Sequence, residues 1–359
     1  MSERPLRIAL VGAGSLLGKA LNDELAASAF AAADIHLVDD EEAFGKLAAT
    51  GDEVTFIQHL DADSFEGCDF TFFAGLPEIT RKHWQQALKA GSRIVDLSGE
   101  LEGSPGIPVR APWIQENLAT ADSAPASQLA EAPDLQTRAV VAAHPAAVLL
   151  AMLATRIQTV APIREIWATL LQPASEFGHA ALEELHQQTT NLLTFQPLPT
   201  EVFGGQTAFN LSVSFPAESR INLGHTGDII RKHYAKIAAP LAASLALQMV
   251  QAPAFHGYAL SIAVELTQVV KPEALDRSLS GSHVHVVPHA SQFPGTVQAV
   301  EEDDVQVLVQ PVFREGQGTD GETDRIWLWV VADNLKFAAR NAIACALELN
   351  RLRPRGSVQ

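Results

Sequence analysis

Apolar and polar positions follow two different rhythms along this chain, and the change between them divides it. Up to about residue 145 the apolar runs are short and nearly continuous: "LRIALV" at Leu6–Val11, then "DIHLVDD", "VTFIQ", "CDFTFFAGL" and "SRIVDLSG". Helix-periodic or turn-rich sequence separates them, with Leu17, Leu21 and Leu25 on one side of the first helix and Gly91 as C-cap of "ITRKHWQQALKAG". Such alternation predicts a parallel sheet covered on both faces. Residues 119–138, rich in alanine, proline and acids, read as a surface excursion before "VVAAHPAAVLLAMLATRIQ", a buried strand that stops at His144-Pro145 and turns into an apolar helix.

From about Ile163 the runs lengthen and alternate: "EIWATLLQ", "AFNLSVSF", "YALSIAVELTQVV", "SHVHVVPH" and "DVQVLVQPVF". These predict a second, mixed and mostly antiparallel sheet. The last stretch, "IWLWVVADNLKFAARNAIACALELNRL", reads as a strand, a turn and a long alanine-rich helix, a pair expected to return to the first domain. The expected fold is α/β: a Rossmann-type parallel-sheet domain (1–145 and 331–359) with an inserted α+β substrate and dimerisation domain (146–330). No internal repeat is visible.

Composition narrows the function classes. The chain has 359 residues, 47% apolar and 19% charged, enough for two proper cores. No apolar stretch reaches the roughly 20 residues of a membrane span, and the first residues are too few and too polar for a signal peptide, so a cytoplasmic protein is expected. Cys68 and Cys345 have no CxxC spacing, which argues against a disulfide framework and a zinc ribbon; both are expected to be buried. The net charge of −17 opposes nucleic acid and anionic lipid as partners.

Candidate chemistry begins at Gly12-Ala13-Gly14-Ser15-Leu16-Leu17-Gly18, after a strand and opening a helix, where N-terminal amides can receive a pyrophosphate. The spacing is GxGxxxG, and a tight strand-to-helix turn without ligand needs the same glycines. After the second strand stands Asp39-Asp40-Glu41-Glu42, with Asp39 placed to grip a ribose hydroxyl and the run placed to repel a 2′-phosphate. NAD is therefore expected over NADP if a dinucleotide binds; a solvated acidic loop is the plainer reading.

With these segments, "TLLQPASEFGHAALEEL" and "IWLWVVADNLKFAARNA" in order, the chain resembles the aspartate-semialdehyde dehydrogenase family over nearly its whole length. The resemblance implies a homodimer, a dinucleotide site that also takes in Ala74, Gly75, Ser175 and Asn334, and reduction of an acyl phosphate through a cysteine thioester assisted by a histidine. Carried over residue by residue, it puts Ala147 at the nucleophile position, at a helix N-terminus that would lower a thiol pKa. Gln172 matches the glutamine that contacts the thioester, Glu176 replaces a glycine, and Phe209-Asn210 survives. Tyr258 stands at the acid/base histidine, Gln251 at the substrate-carboxylate arginine and Glu102 at the phosphate arginine. If the stretch around it is a strand, His256 shares Tyr258's face but lies roughly 6–7 Å away. So general a loss resembles the non-thiol, Usg-type branch, and the parent activity is expected to be absent.

Three readings stay open: a catalytically degenerate NAD-binding dimer, an NAD-dependent oxidoreductase on an aldehyde or keto acid without a thioester, and a purely structural interaction protein. No metal is expected. His283 and His285, with His289, form an HxH strand pattern without a convincing further ligand. His179, Glu183 and His186 read as an exposed helix face, Trp327 and Trp329 as packing on one strand face, and Leu182–Leu193 as a helix that would join a dimer surface by the resemblance.

Overall fold

The computed structural model describes residues 4–40, 45–50, 53–114, 133–239, 241–288, 294–300, 302–313 and 321–352. They form two units, one of residues 4–114, 133–145 and 335–352, the other of residues 146–334. Strands and helices are numbered in chain order.

The first unit holds β1 (Arg7–Val11), β2 (Asp34–Asp39), β5 (Gln58–His59), β6 (Phe70–Phe73), β7 (Arg93–Asp96), β8 (Val109–Arg110) and β9 (Ala139–Ala142). They make one parallel sheet in the order β5-β2-β1-β6-β7-β9-β8. This is the Rossmann-type sheet that the continuous apolar runs predict. One expected strand is corrected: "VTFIQ" is divided between a hairpin, β3 (Leu47–Thr50) with β4 (Glu53–Phe56), and the two-residue edge strand β5. Phe56 pairs with Leu47 on that hairpin and both are exposed, so only Gln58 and His59 reach the sheet, beside Val38 and Asp39.

Helices α1 (Leu16–Ala26), α2 (Pro77–Lys89) and α8 (Asn334–Arg351) belong with this sheet. Ala339, Ala342 and Ala346 of α8 are fully buried in one cluster with Leu10, Phe72, Val95 and Val140, so small side chains let the helix come close. Arg110, 2% exposed, forks onto Glu348 at 3.0 and 2.5 Å and ties α8 to β8. Gly91, at φ +98°, follows the cap residue Ala90 of α2 by one position, the place where a left-handed turn ends a helix.

The second unit holds β10 (Ile163–Gln172), β11 (Ser244–Gln251), β12 (Tyr258–Val270), β13 (Val284–Val286), β14 (Val305–Pro311) and β15 (Thr323–Ala332), in the order β11-β10-β12-β15-β14-β13. Three of its five pairings are antiparallel, so the sheet is mixed and mostly antiparallel as expected. Two expectations fail here. The segment "AFNLSVSF" makes no strand: Phe209 takes φ +58°, and only Ser212 bridges across to Gln251. β15 does not return to the first unit with its helix; it lies between β12 and β14, and the chain passes back only at 334/335. Its alternation explains this, since Ile326 and Leu328 are buried while Trp327 faces outward.

Helices α3 (Pro145–Gln158), α4 (Gly178–Thr194), α5 (Leu223–Ile237), α6 (Pro272–Leu279) and α7 (Thr296–Ala299) complete the described chain. Ala146 through Ile157 of α3 are all buried. On α4, Glu184 accepts from the amides of Val202 and Phe203, and Gln188 from those of Thr207 and Ala208, so two buried side chains anchor the irregular segment that replaces the expected strand.

Candidate functional site

The glycine loop is built largely by packing. A Cβ on Gly18 would lie 2.0 Å from the Gly12 carbonyl oxygen, and one on Gly12 would lie 2.4 Å from the Gly75 amide nitrogen. Gly12 also takes φ +85°, a left-handed conformation that favours glycine. Ser15 caps α1, accepting from the Gly18 amide at 2.8 Å while its hydroxyl donates to the Ala74 carbonyl at 2.9 Å. The amides of Gly12 and Ala13 donate to Val38, and that of Ser15 to Gly12. Leu16 and Leu17, the first two residues of the helix, have no intrahelical acceptor by geometry, so their amides are the ones oriented for an anion.

Asp39 ends β2 beside this loop, 6% exposed. Its Oδ2 accepts from the Gly14 amide at 2.7 Å and its Oδ1 from the Asp40 amide at 2.9 Å. Burial pushes its carboxyl above the usual carboxylate range, against the pull of those two hydrogen bonds. Glu41 and Glu42 lie outside the described residues.

In the second unit several of the residues that the resemblance singles out are buried. Ala147, in the first turn of α3, has no exposure. Cys68 and Cys345 lie in the other unit, both buried, and burial raises both thiols. Tyr258 opens β12, also without exposure, and its hydroxyl donates to Glu176 Oε2 at 2.7 Å. Asn334 Nδ2 donates to the same oxygen at 3.2 Å, while Asn334 Oδ1 accepts from Ser175 Oγ and from the Gly257 amide, both at 3.1 Å. Burial, and then the Glu176 carboxylate beside it, push the Tyr258 phenol well above its ordinary value. Here Tyr258 is a fixed hydrogen-bond donor.

Gln172 and Gln251 are adjacent in register on β10 and β11, and neither is exposed. The Gln251 amide donates to the carbonyls of Gln172 and Ala252, so this side chain ties the strand ends. His256 precedes β12, in the bend that ends at Gly257, so the strand-face condition attached to it is not met. Glu102 occupies a half-buried turn in the first unit, closed around Asp96, which accepts from the Ser98 and Leu101 amides. Asn210 lies in the irregular segment and donates to the Gln206 carbonyl.

Among the described residues no group of three or more potential ligands could hold a metal ion. His283 is in a turn at φ +68°, His285 is exposed on β13, and His289 lies outside the described residues. His179, Glu183 and His186 are all exposed on α4. What sequence reasoning missed is the partnership of Tyr258 with Glu176: two departures, read one at a time, join in a single hydrogen bond.

The fold is that of a two-unit α/β protein with a Rossmann-type parallel sheet in one unit and a mixed sheet in the other. A family model described as semialdehyde dehydrogenase, NAD binding domain, matches residues 7–121, and one described as semialdehyde dehydrogenase, dimerisation domain, matches residues 154–337. The chain belongs to the semialdehyde dehydrogenase family. A USG-1 protein homolog of Pseudomonas aeruginosa is 30% identical over 347 residues, covering 95% of this chain and 96% of that one. An aspartate-semialdehyde dehydrogenase of Rickettsia bellii is 26% identical over 356 residues, covering 95% and 97%. Among solved structures, a probable aspartate-semialdehyde dehydrogenase from Pseudomonas aeruginosa superposes with TM-score 0.80 at 26% identity, covering 97% of this chain and 99% of that one. Among the described residues no helix is long and apolar enough to cross a membrane.

Proposed function

We propose that this chain is a homodimeric, NAD-binding member of the family that does not carry out phosphorylating thioester oxidation. The observation that carries the reading is the closed network of Tyr258, Glu176, Asn334 and Ser175. It occupies the positions that resemble the acid/base and nicotinamide contacts, and the nucleophile position, Ala147, is an unexposed alanine.

The residues fit one half of a dinucleotide better than the other. Leu16 and Leu17 offer amides to a pyrophosphate, and Asp39 offers a carboxylate to a ribose. Ser175 and Asn334 are 2% and 1% exposed and bonded to each other, which opposes a held nicotinamide. NAD, when bound, supplies a hydride acceptor; the protein's own contribution is to hold its adenosine end. Calorimetric titration tests this: NAD and ADP-ribose are expected to bind with similar affinity and NADP more weakly. No heat with any of the three would remove the cofactor reading.

Asp39 sets the preference. Asp39→Asn keeps an acceptor for the Gly14 amide but removes the charge, and hydrogen bonds to a charged group contribute about 1.5–3 kcal/mol. NAD should therefore bind on the order of tenfold more weakly, with the difference between NAD and NADP reduced. Because the Asp39 carboxyl is raised, it is neutralised by mild acidification sooner than an ordinary aspartate. Binding of NAD by the unaltered protein should thus weaken as pH falls, starting above the usual carboxylate range, whereas the asparagine variant should show no such slope.

The homodimer is assigned to the open face of the second sheet. Trp167 and Trp327 flank Ala263 in register, 43% and 46% exposed, on strands within the matched dimerisation domain. Anchoring tryptophans contribute about 2 kcal/mol or more each at interfaces. The double change Trp167→Glu with Trp327→Glu should loosen the dimer on the order of 10³-fold, read by sedimentation velocity across a dilution series. An unchanged dimer would place the interface elsewhere.

A further inference from the structure

Gln172 and Gln251 present an unusual set of buried groups. They are register partners at the ends of neighbouring parallel strands, so their side chains leave the same face of the sheet. Both residues have zero exposure. Gln251 Nε2 donates to two backbone carbonyls, at 3.0 and 2.9 Å, which fixes the orientation of that amide and turns its oxygen away from them. Among the described residues, Gln251 Oε1, Gln172 Oε1 and Gln172 Nε2 have no hydrogen-bond partner.

Leaving a buried polar group unmatched costs about 1–3 kcal/mol, so three adjoining ones are a substantial destabilisation unless something fills them. The unmatched set is two acceptors and one amide donor, and exchanging the oxygen and nitrogen of Gln172 leaves it unchanged. Neither residue carries a charge, which disfavours an anion or a cation as occupant.

A primary carboxamide complements this set. Its carbonyl and one N–H can form a cyclic pair with the Gln172 amide, two N–H···O bonds in one ring. Its second N–H is then left for Gln251 Oε1. A water is the competing occupant, since it can donate to one amide oxygen and accept from one N–H.

We infer that Gln172 and Gln251 form a recognition site for a neutral ligand bearing a primary carboxamide. The inference rests on the reading that this unit has left the parent chemistry, since Gln251 stands where a carboxylate-binding arginine would keep the ligand anionic. The site is sealed in this conformation, so entry requires local opening and binding is expected to be slow.

Three probes that share an ethyl group, propionamide, its isostere propionate and the smaller propan-1-ol, test it on the full-length protein by thermal shift. Propionamide is expected to raise the Tm in a saturable manner, and the other two are not. Gln172→Leu and Gln251→Leu, where they fold, should each weaken the propionamide response at least tenfold; the probe comparison on the unaltered protein does not depend on them. A stabilisation by propionate equal to that by propionamide would overturn the assignment, and so would a soaked crystal with only a water between the two amides. Failure here would leave the NAD titration unchanged, whereas failure of the functional reading would appear as phosphate-dependent turnover.

Discussion

Installing a nucleophile and an acid/base together, Ala147→Cys with Tyr258→His, is expected to leave phosphate-dependent oxidation of aspartate semialdehyde at background, measured as reduced cofactor formed with enzyme and inorganic phosphate. The thiol would stand at the N-terminus of α3, which favours a thiolate, but at a position with no exposure, which opposes one. The new imidazole would replace the phenol that holds Glu176, leaving that carboxylate without its 2.7 Å donor. Acid/base catalysis contributes about 10²–10⁴-fold, and only on a substrate already held in place. Holding is what the second unit does not offer: Gln251 is neutral and bonded to backbone carbonyls. A neutral partner also cannot make the charge-assisted fork that fixes a carboxylate. Circular dichroism and an unchanged NAD titration would show that the double variant is folded. A burst of reduced cofactor equal to the enzyme concentration would show that position 147 becomes accessible and that a charged carboxylate partner is dispensable, and would defeat the proposed loss of activity.

The sequence displayed the sheets more clearly than the site, for a physical reason. Leu6–Val11, Phe70–Phe73 and Arg93–Asp96 are read correctly because strands buried on both faces must be nearly all apolar, and few other structures need that pattern. "AFNLSVSF" has a strand's alternation but no strand's environment. Its exposed Phe209, Leu211 and Val213 satisfy the same periodicity, while Phe209 adopts a left-handed backbone that no periodicity records. β11 is the converse case: its first residues, Ser244–Gln248, are exposed or half-buried, so the apolar signal is weak. At the site, residue types at motif positions reveal that Tyr258 and Glu176 are departures. Their mutual bond depends on 82 positions of sequence separation being closed by the β10 to β12 pairing, which is a property of the sheet register.

That bond leads to the second large effect. Tyr258→Phe keeps the ring in its unexposed place and removes only the hydroxyl, so the change isolates the hydrogen bond to Glu176. A hydrogen bond to a charged acceptor contributes about 1.5–3 kcal/mol, so the variant should be less stable by about 2 kcal/mol in urea denaturation. With Glu176 already truncated, in Glu176→Ala, the same tyrosine change should cost far less, giving a coupling of more than about 1 kcal/mol in the double-mutant cycle. The sign with pH follows from the raised phenol. A group whose pKa is higher folded than unfolded stabilises fully below its unfolded value, near 10, and loses that stabilisation as pH rises toward the folded one. The gap between the unaltered protein and Tyr258→Phe should therefore be level from neutrality to about pH 10 and close above it, because only the tyrosine-bearing chain ionises at this position on unfolding. Additivity within about 0.5 kcal/mol would mean that the two residues merely adjoin. Coupling would mean that Tyr258 and Glu176 act as one buried unit, so that the two departures from the family pattern are a single structural feature.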